Sequence, residues 1–178
     1  PEGGRRSVYN SKLTHLKITH YRLSNRKIKS IVHMFPNIIH LDFEGSMKSE
    51  SVGLTAITDS CHKLKCLNIS NRIEFSEISI CNVIRSCPRL WQLDLSCYEI
   101  TELIIKEIAR SCLNLKYLNL RGCYKISKET VDQLVPLNPN IYVENFVGAI
   151  TIPDLIGSLS NLLSRYFNTS IASQSSTQ

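Results

Sequence analysis

The sequence predicts an α/β solenoid, a horseshoe with parallel strands on its concave side and helices on its convex side, comprising about five and a half repeats plus a C-terminal helix. Three observations predict it. An L-x-x-L-x-L pattern returns as Leu13-Leu16-Ile18, Ile38-Leu41-Phe43, Leu64-Leu67-Ile69, Leu90-Leu93-Leu95 and Leu115-Leu118-Leu120, and a damaged sixth copy reads Ile141, Glu144 and Phe146. First positions are 25, 26, 26, 25 and 26 residues apart, and a second apolar pattern at helical spacing follows each copy. Finally, 178 residues with 43% hydrophobic and 20% charged side chains make a folded chain with room for one ordinary domain.

In chain order, residues 1–9 read as a ragged end: the chain opens on Pro1, and PEGGRR suggests a fragment of a longer protein. The solenoid is expected over 10–147. In the first copy, Leu23 and Ser24 precede Ile28, Ile31, Val32 and Phe35. The second is looser, with Met47, Ser49, Val52 and Ile57. Phe75 and Ser76 then precede Val83, Ile84 and Cys87; Ile100 and Thr101 precede Ile104, Ile105, Ile108 and Cys112; Ile126 and Ser127 precede Val131, Leu134 and Val135. A hydroxyl at the N-cap accepts from the first unpaired N–H groups of a helix, and an apolar residue before it fixes the angle of the chain. Each unit is therefore a strand, a turn and a helix. Strands lie about 4.8 Å apart and packed helices about 8–10 Å, which puts the strands on the inner side.

Past Phe146, Pro153 suits the first turn of a helix expected over 148–167. Its stripe of Ile152, Leu155, Ile156, Leu159, Leu162, Leu163, Tyr166 and Phe167 would cap the last coil or, alternatively, dock a partner. The tail, 168–178, is polar and expected to be disordered.

No apolar run approaches the roughly 20 residues of a membrane span, and no charged-then-apolar leader opens the chain. Seven cysteines, an odd number, argue for a reducing compartment, hence a cytoplasmic and/or nuclear location. Cys61, Cys87 and Cys112 share one slot with Phe35 and Asn138, which points to packing; no C-x-x-C occurs, so no metal is expected. Histidines 15, 20, 33, 40 and 62 sit in no H-E-x-x-H, and neither G-x-S-x-G nor a P-loop is present. Asp42 and Asp94 are two strands apart with Asn68 between them, a poor acid–base pair. The expectation is a chain without catalytic residues or cofactor.

The net charge of +6 is concentrated near the start, where the first 29 residues carry +7 and the rest −1. Arg26, Lys27 and Lys29 flank Ile28 and Ile31 as on a solvated helix face, without the interleaved aromatics of a nucleic-acid platform; neither nucleic acid nor a membrane is the expected partner.

The segments CPRLWQLDL from Cys87 and CLNLKYLNLRGCYKIS from Cys112 resemble the cysteine-containing subclass of leucine-rich repeats, and residues 10–147 resemble the C-terminal repeat array of a fungal F-box protein. The resemblance implies the substrate-binding repeats of an F-box subunit that presents proteins to a cullin-RING ubiquitin ligase. No F-box-like segment is visible in the first residues, so the ligase adaptor would be met only through a longer parent. A leucine-rich adaptor or regulatory scaffold unrelated to ubiquitin is the alternative.

Three columns of non-core residues would face a protein target. The third position carries His15, His40, Cys66, Gln92 and Tyr117; the fifth Lys17, Asp42, Asn68, Asp94 and Asn119; the seventh Thr19, Glu44, Ser70, Ser96 and Arg121. His40, Asp42, Glu44, Asn68, Ser70, Gln92, Asp94, Ser96, Tyr117, Asn119 and Arg121 are the candidate contacts. Trp91, at a second position, is a possible aromatic anchor whose direction the pattern leaves open. Replacing Asp94 and Tyr117 by Ala is expected to weaken capture and leave stability nearly unchanged.

Overall fold

The computed structural model describes residues 12–46, 52–71 and 75–144. All belong to the compact unit Pro1–Gly148. The expected end at 1–9, Met47, Ser49, Phe146, the helix over 148–167 and the tail over 168–178 lie outside the described residues.

Strands and helices alternate: β1 (His15–Lys17), α1 (Asn25–Met34), β2 (His40–Asp42), α2 (Val52–Ser60), β3 (Cys66–Asn68), α3 (Glu77–Ser86), β4 (Gln92–Asp94), α4 (Glu102–Ser111), β5 (Tyr117–Asn119), α5 (Lys128–Asp132) and β6 (Tyr142–Glu144). The strands form one parallel sheet in chain order, and each helix packs on the next. The result is a solenoid-like repeat. Register follows the pattern, with Leu16, Leu41, Leu67, Leu93 and Leu118 side by side. From Ile38 to Leu120, the first, fourth and sixth positions are buried in one core with Ile28, Val32, Leu54, Ile57, Ile80, Ile84, Ile104 and Ile108 of the helices.

Hydrogen bonding continues beyond the strands. The N–H groups of Ile18, Phe43 and Leu95 donate to the fifth-position carbonyls of Asp42, Asn68 and Asn119 at 2.8, 2.9 and 3.0 Å. Two residues on, the His20, Gly45, Asn71 and Cys97 N–H groups donate to the following copy's seventh-position carbonyl. At this eighth position the chain turns left-handed: φ is 60° at His20, 60° at Gly45, 65° at Asn71, 63° at Cys97 and 75° at Gly122. Gly45 is also constrained by space, since a Cβ there would lie 2.9 Å from His20 Nδ1.

Hydroxyl caps form on three of the helices. Ser76, Thr101 and Ser127 accept from the N–H groups of Ser79, Leu103 and Thr130 at 3.3, 3.4 and 3.2 Å. Glu77 ties α3 to α4 by accepting from the Thr101 N–H and, at 3.0 Å, from its hydroxyl. Ser24, by contrast, makes no side-chain cap bond.

The cysteine slot ends α1 to α4. The Phe35, Cys61, Cys87 and Cys112 N–H groups donate to the carbonyls of Ile31, Ile57, Val83 and Ile108. The three cysteines are buried. Burial pushes Cys61 up to about 11 and Cys87 and Cys112 up to about 12. Asn138 fills the same slot by donating its amide to the Leu115 carbonyl.

Two expectations are corrected. Ile141 is a first position, its N–H reaching the Asn138 carbonyl at 3.1 Å as that of Leu115 reaches Cys112 at 3.0 Å. Yet Tyr142 pairs with Tyr117, Val143 with Leu118 and Glu144 with Asn119. One residue is thus missing between the first and third positions, and Val143, not Glu144, takes the inward place. Val135, expected in the core, is 51% exposed because α5 stops at Asp132.

Candidate functional site

The sheet face turned away from the helices carries the third-, fifth- and seventh-position columns. In-register pairing sets like positions side by side, so the rings of His15 and His40 stack with centroids 5.6 Å apart and planes 18° apart. At the other end Tyr117 stacks on Tyr142 at 6.0 Å and 28°. Cys66 and Gln92 lie between the two stacks. A shallow groove of about 240 Å³ runs past His40, Cys66, Asn68 and Gln92. Burial pushes the Cys66 thiol up.

The fifth-position column does a second job. Each of its carboxylates or amides accepts from the N–H two residues on: Asp42 from Glu44 at 3.1 Å, Asn68 from Ser70 at 3.0 Å, Asp94 from Ser96 at 2.9 Å and Asn119 from Arg121 at 3.0 Å. Asp94 also accepts from the Ser96 hydroxyl at 2.7 Å and the Asn119 amide at 2.9 Å. Short side chains with an acceptor at this reach close the backbone turn that ends the strand, which explains why Asp and Asn alternate here. Lys17 pairs with Asp42 at 2.8 Å, and the Asp42 hydrogen bond and charge raise the Lys17 pKa.

These bonds revise the expected contact set. Asp42 is 5% exposed and Ser70 2%, so both belong to the fold and present little to a partner. Asp94 holds three hydrogen bonds, so its replacement is now expected to lower stability as well as capture. His40, Glu44, Asn68, Gln92, Asp94, Ser96, Tyr117 and Asn119 are partly exposed on this face, and Arg121 is exposed. Glu44 accepts from the Asn71 amide at 3.0 Å. Trp91 precedes β4 and stands at the edge of the sheet, 45% exposed.

Two further residues escaped the pattern. Tyr142 joins the face only because the sixth copy lacks a residue, a shift that spacing alone conceals. Glu107 lies on α4, where it is buried. It receives Arg85 at 2.6 Å, Arg110 at 3.3 Å and the Ser111 hydroxyl at 2.6 Å. The Arg85 hydrogen bond leads in holding its carboxyl below the usual range. Its one sequence signal is an acid flanked by Ile104 and Ile108 on the apolar face.

Among the described residues, no group of three or more His, Cys, Asp or Glu could hold a metal ion, and no helix is long and apolar enough to cross a membrane.

No family model matches the chain, and no curated protein matches it. Among solved structures it is similar to the C-terminal domain of tropomodulin from Caenorhabditis elegans, with a TM-score of 0.56 and 15% identity over 74% of this chain and 86% of that one. The likeness shows the fold, a leucine-rich-repeat-like array of parallel strands and helices.

Proposed function

We propose that a chain of this leucine-rich-repeat-like fold is a non-catalytic protein-recognition module that holds its partner on the open face of the sheet. One observation carries the reading. A parallel sheet ordinarily has cover on both faces, whereas among the described residues this one packs helices on one face and presents half-buried polar and ring-bearing side chains on the other. Strands spaced more closely than helices make that face concave. Side chains fixed on paired strands lose little freedom when a partner docks. The contacts in this reading are His40, Glu44, Asn68, Gln92, Asp94, Ser96, Tyr117, Asn119 and Arg121. Two carboxylates of this face already have partners within the fold, Asp42 in Lys17 and the Glu44 N–H, Asp94 in Ser96 and Asn119.

The finer reading makes these repeats the substrate-binding part of an F-box subunit in a cytoplasmic and/or nuclear cullin-RING ubiquitin ligase. It is supported by the resemblance of CPRLWQLDL and CLNLKYLNLRGCYKIS, and it requires an F-box in a longer parent.

A photo-crosslinking residue at Gln92, compared with one at Lys106 on α4, tests the face. Partner adducts are expected from Gln92 and not from Lys106, and Tyr117→Ala is expected to lower them about tenfold, as loss of a central aromatic anchor does. Equal yields from both positions would remove the open-face reading. Capture of the ligase adaptor by the longer parent, absent from a parent with its F-box deleted, tests the finer one.

A further inference from the structure

The edge where each helix leads into its strand differs chemically from the open face. Segments 35–40, 61–66, 87–92, 112–117 and 138–142 contain no acidic residue, and they carry Lys63, Lys65, Arg89 and Lys116. The opposite edge is mixed in charge, with Glu44, Glu99 and Glu144 beside Arg22, Arg121 and Lys125, the last paired with Glu99 at 2.7 Å. Trp91, the chain's single tryptophan, stands in the middle of the cationic edge. Its N–H donates to the Lys65 carbonyl at 2.7 Å and its carbonyl accepts from the Lys116 N–H at 2.9 Å, so the ladder fixes a lysine on either side of the indole. Lys65, Arg89, Trp91 and Asn114 line an open groove of about 370 Å³.

Lys65, Arg89 and Lys116 are exposed and form no ion pair among the described residues. The acids nearest in the sequence are Asp94 and Asp59: Asp94 accepts from the Ser96 N–H and the Asn119 amide on the open face, and Asp59 lies in α2 and accepts from the Thr58 hydroxyl at 3.3 Å. Helix carbonyl ends on this edge attract cations, but that attraction does not account for a large indole standing 45% exposed among them.

We propose that this edge is a docking groove for an acidic peptide segment carrying one large apolar side chain, which packs on Trp91 while flanking carboxylates meet Lys65, Arg89 and Lys116. The proposal deepens the recognition reading by naming a class of partner, and it uses a surface distinct from the open face. Charge complementarity identifies the occupant: unpaired cations want carboxylates, and an exposed indole between them wants an apolar body. Single-stranded nucleic acid would be served by successive aromatics, whereas the neighbours of Trp91 in its row are lysines.

The test is fluorescence anisotropy on the full chain, with a fluorescein-labelled peptide of alternating Glu and Asp around a central Leu. Binding is expected to weaken about tenfold when the Leu is replaced by Ser and about tenfold in Trp91→Ala, the loss typical of a removed anchor. Lys65→Glu/Lys116→Glu should abolish it, and added salt should weaken it. The double variant alters exposed side chains alone, so it keeps the test decisive if Trp91→Ala unfolds. Tyr117→Ala should bind normally, which separates failure here from failure of the open-face reading. Equal affinity for the Leu and Ser peptides, or indifference to the lysine reversal, would overturn the proposal. Tighter binding of a short oligothymidylate that displaces the peptide would overturn it in favour of nucleic acid.

Discussion

The first and fourth copies are written in the same pattern and differ in what surrounds them. Leu93 and Leu95 are 1% and 0% exposed, whereas Leu16 and Ile18 are only partly buried, because among the described residues β1 is paired on one side while β4 is paired on both. Thr101 caps its helix and is itself held by Glu77 of the copy before; Ser24 makes no side-chain cap bond. The pattern specifies the unit, and the neighbour supplies the burial and, at Thr101, a second partner for the cap.

The comparison breaks first at the core. Leu93→Ala is expected to cost about 3 kcal/mol through lost burial and the cavity left behind, against about 1–2 kcal/mol for Leu16→Ala, whose site can relax toward solvent. Urea midpoints of the two variants measure the difference, and equal losses would deny the neighbour its role. Glu107 gives the next effect, since among the described helices α4 alone carries a buried carboxylate, here paired with two arginines. Glu107→Gln should cost about 1.5–3 kcal/mol, the range for hydrogen bonds to a charged group. With its folded pKa lowered, the Glu107 carboxylate contributes above the ordinary carboxylate range and loses that contribution as pH falls through the folded value. The variant should therefore show a shallower acid limb in stability against pH, and an unchanged limb would refute the assignment. The smallest effect sharpens the comparison. Thr101→Ala should cost about 1 kcal/mol, and Ser24→Ala should leave the midpoint where it is; a matching loss at Ser24 would place a working cap in the first copy.

What the sequence makes legible is whatever repeats. Leu41, Leu67, Leu93 and Leu118 line up because a strand with one buried face tolerates no slip of register, and the caps at Ser76, Thr101 and Ser127 follow from hydroxyls placed before apolar runs. Departures from the repeat are opaque. The residue missing before Tyr142 changes which side chain faces inward without disturbing the spacing of first positions. Glu107 depends on Arg85, 22 residues away on another helix. The left-handed turn is signalled by Gly45 and Gly122, but His20, Asn71 and Cys97 adopt it as well, held by a ladder bond that no single position announces. On the open face, the fifth-position column looks like free recognition chemistry in the sequence. In the structure its acceptors close turns; the shared column already sets His15 beside His40, and the stack of Tyr117 on Tyr142 is what register adds.

The rim of left-handed turns bears on how such an array can grow. His20 leans over Gly45, where any larger side chain would meet its imidazole. Tandem duplication of the first unit alone would set a second histidine in that place, forced into the same backbone conformation with an imidazole already above it. Duplicating the first and second units together keeps a glycine after each histidine and repeats that contact as it stands.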